Sequence, residues 1–190
     1  MILEDTMAHA KDREEVLAQL DYAVSQLFEH MDPSLIPEVG TNIAYALPGA
    51  RSPEDVAAVE GRIVRLGSRV HPVGTVKFGA SDHIARIVLT TMKFDPAIRS
   101  AANIRFSEEL IELLEGLLFD ICSFDRTKEP EGVRTMDWGV AFCCKEAVPD
   151  VIYDRGAMGK EPMIRILGED PVTVAHNIIK LSGRIKTTTV

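Results

Sequence analysis

Between Gly61 and Arg86 the chain reads GRIVRLGSRVHPVGTVKFGASDHIAR. Arg62, Arg65, Arg69, Lys77 and Arg86 stand there against a single acid, Asp82, in a chain whose formal charge is -8. An acidic protein that gathers its cations in one place is suited to holding an anion there. A helix opening at Ser81 or Asp82 sets His83 and Arg86 in its first turns, where free N–H groups and the helix dipole favour phosphate. The competing reading is an amphipathic ribbon of strands ahead of a core helix, with arginines that are merely solvated.

Two further stretches could hold an anion. Asp125-Arg126 closes an alternating segment, a position where ligand contacts and plain surface ion pairs are both common. The loop DRGAMGKE at 154–161 combines two glycines with Lys160, so backbone could approach a phosphate closely. It is not a P-loop, because the glycine spacing differs and no Ser or Thr follows the lysine. Other chemistries lose ground. The histidines at 9, 30, 71, 83 and 176 form neither H-x-H nor H-E-x-x-H, and no G-x-S-x-G occurs. Cys122, Cys143 and Cys144 make no C-x-x-C, so neither a zinc knuckle nor a disulfide framework is indicated, and reduced, mostly buried thiols are expected. The parts that remain suit a reaction whose difficulty is charge on a leaving phosphate or pyrophosphate.

These residues need a scaffold, and the chain supplies one. Residues 1–11 carry no period and read as a loose lead-in. Asp12 and Glu15 have capping-box spacing ahead of a stripe of Val16, Leu17, Leu20, Val24, Leu27, Phe28 and Met31, a helix stopped by Asp32-Pro33. Asn42 to Leu47 reads as a strand and Ser52-Pro53-Glu54-Asp55 as the start of a short helix. Short strands follow at 62–66, 69–73 and 75–78, then the helix bearing Ile84, Ile87, Val88 and Met92. Asp95-Pro96 starts another short helix, and Asn103 to Phe106 fits a strand. Ser107 opens a helix rich in leucine. Phe119 to Phe124 alternates as a strand, Met136 to Lys145 reads as helix with Trp138 inward, and Val151 to Tyr153 and Met163 to Leu167 as strands. Asp170-Pro171 starts a last helix, with a polar tail from about 184.

Strands and helices alternate throughout, which makes the class α/β. Connections within 61–78 are too short for helical crossovers, so the sheet should be mixed and largely antiparallel. A chain of 190 residues with 46% hydrophobic content can bury one core, and a single domain over 12–183 is expected. The acidic balance argues against a general nucleic-acid or membrane-surface binder. No apolar run approaches the roughly 20 residues of a membrane span, and the N-terminus lacks a leader pattern, so a soluble, cytoplasmic protein is expected.

Several extended strings resemble the ThiN domain, the archaeal type of thiamine-phosphate synthase. They are IPEVGTNIAYALPGARSPEDVAAVEGRIVR (36–65), VKFGASDHIARIVL (76–89), NIRFS (103–107), SFDR (123–126), MDWG (136–139) and PDVIYDRGAMGKEPMIRILG (149–168). The resemblance implies a three-layer α/β/α fold similar to class II aldolases. It implies condensation of 4-amino-2-methyl-5-pyrimidinylmethyl diphosphate with 4-methyl-5-(2-phosphoethyl)thiazole, giving thiamine phosphate and pyrophosphate. The family's catalytic arginine and histidine map onto Arg62 and His83. Arg62, with Lys160 or Arg126, would neutralise the departing charge; His83 would either donate a hydrogen bond to the diphosphate or position the pyrimidine. Asn42, Gly79, Ser81, Arg86, Asn103, Asp125, Arg126, Gly159, Lys160, Glu161 and Met163 form the expected substrate- and phosphate-binding set.

Magnesium is expected on the diphosphate, with Asp125 or Asp154 near it. The partners implied are the two phosphorylated small molecules, with no nucleic acid and no membrane; fold analogy adds a homo-oligomer. Family members also occur behind a kinase domain or a DNA-binding domain. The chain is therefore read as a free-standing or excised domain, and the alternative function is a thiamine-phosphate sensor without turnover. An α/β domain for some other sugar or nucleotide phosphate is the remaining alternative.

Overall fold

The computed structural model describes residues 2–130, 132 and 135–188. Its first element is dictated by the apolar stripe. Val16, Leu20, Val24 and Leu27 recur on one face of a helix, α1 (Ile2–His30), and all are buried. Asp32 ends it: its carboxylate accepts a hydrogen bond from the Ser34 amide, opening a 3-10 turn over Pro33–Leu35.

Among the described residues nine strands follow, interleaved with four helices. They are β1 (Ile43–Ala46), β2 (Val56–Val59), β3 (Ile63–Leu66), β4 (Arg69–Pro72), β5 (Val76–Phe78), α2 (Asp82–Met92), β6 (Ser100–Arg105) and α3 (Glu108–Gly116), then β7 (Ile121–Ser123), α4 (Thr135–Cys143), β8 (Val151–Asp154), β9 (Met163–Gly168) and α5 (Pro171–Thr188). Seven strands make one sheet in the order β5-β2-β1-β6-β9-β8-β7. Every neighbouring pair is antiparallel except β7 with β8; short connections dictate this for β1–β2 and β8–β9, whereas β1–β6 and β6–β9 pair strands distant in sequence. β3 and β4 pair separately as a hairpin.

Alternation along the strands divides the interior in two. Ile43, Tyr45, Ile104 and Ile164 face one core with Leu20, Leu27, Leu114 and Ile178 of α1, α3 and α5. Ala44, Ala58, Ala101, Ile152 and Leu167 face the other, with Ile84, Val88 and Val140 of α2 and α4. A sheet covered by helices on both faces is the three-layer α/β/α arrangement. Each fully buried leucine or isoleucine contributes about 1.5–3 kcal/mol.

Several boundaries differ from the sequence reading. α1 is helical from Ile2, so the lead-in expected over residues 1–11 is helical backbone from residue 2, and Asp12 and Glu15 lie inside the helix rather than at its cap. The Pro53 start signal yields only one 3-10 turn, Pro53–Asp55, before the chain enters β2. The run Val56-Ala57-Ala58-Val59 is buried throughout, and the central sheet position outweighs a helical start that has no room to continue. Asp95-Pro96 makes a turn, with Ala97 N–H donating to the Asp95 carboxylate, and no helix. α5 carries Gly183 within it and runs to Thr188, where a tail was expected. Cys122 and Cys143 are joined in a disulfide with their Cα atoms 5.7 Å apart, against the expectation of reduced thiols; Cys144 alone stays free and buried. Spacing could not show this pair, because it joins β7 to α4 across the fold.

Candidate active site

The cavity lies at one end of the sheet, on the side covered by α2 and α4. Along β9 the alternation that buries Leu167 beneath those helices also turns Met163 and Arg165 to the same side. Across β8 the same rule turns Asp154 there beside Ile152. Asn42 precedes β1, Asn103 lies near the end of β6, and Arg126 follows the end of β7, so all converge on that end. The result is a cavity of about 320 Å3 lined by residues that include Asn42, Arg62, Ser81, His83, Asn103, Arg126, Lys160, Glu161 and Arg165.

Its charge is carried by a buried chain of ions. Asp154, 1% exposed, lies 2.8 Å from Arg126 Nε through one carboxylate oxygen and 2.8 Å from Arg165 Nη1 through the other. Two guanidinium groups against one carboxylate leave a positive excess. Arg126 Nε and Arg165 Nη1 are held in these ion pairs, and among the described residues the buried Arg165 Nε has no hydrogen-bond partner. Buried N–H groups left in this state cost free energy unless a ligand takes them up. Burial also lowers the pKa of Arg165, with the Asp154 charge acting in the opposite sense.

Arg62 enters the lining from the turn between β2 and β3. It has φ 70, directly after Gly61 with φ 69, and a non-glycine residue in the left-handed region costs about 1–3 kcal/mol. The side chain is held by an Nη1–H donated to the Val39 carbonyl. His83 is the second residue of α2. Its pKa is lowered by desolvation within the cavity walls, then by the charges of Arg165, Arg62 and Arg126, with Asp82 opposing them. One side of the ring stays open to solvent, so that desolvation is partial. The lowered value keeps the imidazole neutral near pH 7, able to donate from one nitrogen and accept at the other. Ser81 stands at the N-cap of α2 without making a side-chain cap bond, and its residue lines the cavity.

Thus Arg62 and His83, assigned from distant segments, share one cavity, and Asn42, Ser81, Asn103, Arg126, Gly159, Lys160, Glu161 and Met163 line it with them. Some of these are already engaged. The Asn42 carboxamide oxygen accepts from the amides of Ile43 and Val59 at 2.9 and 3.0 Å, and its NH2 donates to the Val59 carbonyl. Asn103 bonds the Asn42 amide and the Gly40 carbonyl. Glu161 accepts from the amides of Glu38 and Val39 and so fastens two loops at the rim. Lys160 contacts Glu129 at 3.1 Å.

Three residues of the expected set lie elsewhere. Arg86 lies outside the cavity lining, held by ion pairs to Asp82 at 2.8 Å and Asp137 at 3.3 Å. Gly79 is needed for close packing: with φ 71, any Cβ there would meet the Glu54 carboxylate at 2.6 Å. Asp125 caps the 3-10 turn over Arg126–Lys128 and accepts from the Thr127 amide and hydroxyl. Nor do Asp125 and Asp154 fit a divalent cation. The first is engaged with Thr127 and the second lies between two guanidinium groups, and no metal-ligating cluster occurs among the described residues. Arg165 was missed from sequence. Its signal was an arginine at the centre of the apolar strand MIRILG, where a charge is buried only with a partner.

Known proteins resemble this chain in sequence and fold. The bifunctional thiamine biosynthesis protein ThiDN of Methanocaldococcus jannaschii is 47% identical over 171 residues, covering 88% of this chain; the chain spans 40% of that relative's length. The thiamine-phosphate synthase ThiN of Methanothermobacter thermautotrophicus is 43% identical over 159 residues, covering 80% of this chain and 84% of its own. The crystal structure of the C-terminal domain of a phosphomethylpyrimidine kinase superposes with a TM-score of 0.83 at 44% identity, over 88% of this chain and 98% of that one. At the level of fold alone, the l-fuculose-1-phosphate aldolase of Thermus thermophilus gives a TM-score of 0.51 at 12% identity, over 93% of this chain and 95% of that one. The family described as thiamine-phosphate synthase ThiN matches residues 19–180, and the chain belongs to it.

Proposed function

We propose that this chain is a thiamine-phosphate synthase, which joins a pyrimidine-methyl diphosphate to a thiazole phosphate. The observation that carries the reading is the convergence of Arg62, Arg126, Lys160 and Arg165 with His83 on one cavity, where two guanidinium groups share a single buried carboxylate. A leaving pyrophosphate supplies negative charge to match that excess. In the reaction the bond from the pyrimidine methylene carbon to the diphosphate oxygen breaks, and its electron pair leaves with pyrophosphate. The aminopyrimidine stabilises the resulting cation and the thiazole nitrogen attacks the carbon. Preorganised cations in a partly dry cavity stabilise the leaving charge without reorganising at the moment of reaction.

Arg62 takes the terminal diphosphate oxygens together with Arg126 and Arg165. Neutral His83 donates a hydrogen bond to the same group. Magnesium would be carried by the diphosphate's own oxygens, since the protein carboxylates nearby are engaged. The catalytic unit is the single domain over 12–183. Among the described residues no helix is long and apolar enough to cross a membrane. Phosphorylated substrates, which do not pass a bilayer unaided, favour a cytoplasmic reaction.

Incubating the pure protein with both substrates and magnesium tests this directly. Thiamine phosphate and pyrophosphate should appear in equal amounts. Binding of thiamine phosphate with no turnover would replace the synthase reading with that of a sensor.

A further inference from the structure

Arg126 lines a second cavity as well, of about 560 Å3, shared with Phe124, Lys128, Trp138, Phe142 and Arg155. Its aromatic wall is built to close tolerance. Trp138 meets Phe124 edge-on at 6.1 Å and stacks on Phe142 at 5.9 Å, the latter four residues further along α4. Gly139 lets α4 sit directly on the Phe124 ring, since a Cβ there would lie 2.3 Å from it. The Cys122–Cys143 disulfide ties α4 to β7 beside the same wall. Phe142 nevertheless stays 46% exposed. Around these rings Arg126, Lys128 and Arg155 stand against one carboxylate, Asp125. Arg155 is paired with Glu108 and Arg126 with Asp154, which leaves Lys128 as the foremost cation.

Aromatic faces with cations beside them suit a planar ring that carries a phosphate, the ring stacking and the phosphate bonding to guanidinium or ammonium. The first cavity lies at the low end of the range for small-molecule sites, sufficient for one phosphorylated ring. We propose that the second cavity binds the thiazole phosphate, with its ring against Trp138 and Phe142 and its phosphate toward Lys128. This rests on the synthase reading, which requires two phosphorylated rings, and it adds Trp138, Phe142 and Lys128 as residues that select the second substrate. Arg126, common to both walls, lies between the two anions.

Trp138 is the one tryptophan of the chain, so its fluorescence reports on this cavity alone. Thiazole phosphate should change the emission saturably, while the unphosphorylated thiazole alcohol and inorganic phosphate should each do so only at much higher concentration. Lys128→Ala and Phe142→Ala, both at exposed positions, should raise KM for thiazole phosphate about tenfold and leave KM for the pyrimidine diphosphate unchanged. Folded variants that turn over with an unaltered thiazole KM would overturn the proposal and leave the synthase reading standing. Saturable quenching by thiazole phosphate in a protein without turnover would support this cavity while refuting the synthase reading. No change in wild-type emission at saturating thiazole phosphate would overturn the proposal outright.

Discussion

His83 shows how one residue reports the field of the whole site. Desolvation and three guanidinium groups lower its pKa from 6.5, so the folded state binds fewer protons than the unfolded chain. Its contribution to stability is therefore complete above about pH 6.5 and is lost as pH falls through the lowered folded value. Pyrophosphate would reverse that field. An anion bound among Arg62, Arg126 and Arg165 offsets their charges, and the imidazole pKa should rise on binding. NMR titration of the ring with and without pyrophosphate measures this, and an unchanged pKa would count against a shared anion site. Arg62 and His83 were legible from sequence because each sits in a string with the family's pattern. Arg165 was not, because a single arginine in an apolar strand shows its partner only after β8 and β9 are paired.

At the scale of elements, the cavity is held by the pairing of β8 with β9. Asp154 faces Met163 in register, one step from Arg165, so its carboxylate reaches both arginines. Asp154→Asn removes the counter-charge of two buried guanidinium groups and should destabilise the fold by about 3–5 kcal/mol. Chemical denaturation of the variant checks this; a loss below 1 kcal/mol would mean that solvent already compensates the arginines. Strand and helix placement was mostly legible, since periods of 2 and 3.6 survive in β6, α2, α3 and β9. The signals that failed were local ones. The Ser52-Pro53 start is overridden by the sheet, and Asp12 with Glu15 has the spacing of a cap in mid-helix. In the first case tertiary packing outweighs about 1 kcal/mol of capping preference.

Over the whole molecule, the three layers were foreseen from resemblance and the antiparallel sheet from connection lengths. The disulfide was foreseen from neither. Cys122 and Cys143 are separated by 21 residues, and closing a loop of that size should stabilise the oxidised protein by about 3 kcal/mol. Thermal unfolding with and without a reductant, compared with Cys143→Ser, measures that difference; identical midpoints would show that the pair contributes nothing in solution. The same closure holds α4 near the cavities, which links the stability of the fold to the shape of the site.

The central claim is that cations from separate segments receive the charge shed by the diphosphate. Single-turnover formation of thiamine phosphate, with both substrates saturating, measures it most directly. Arg62→Ala and His83→Ala, folded by circular dichroism, should each slow that step about 10²–10³-fold. Rates within twofold of the wild type would contradict it.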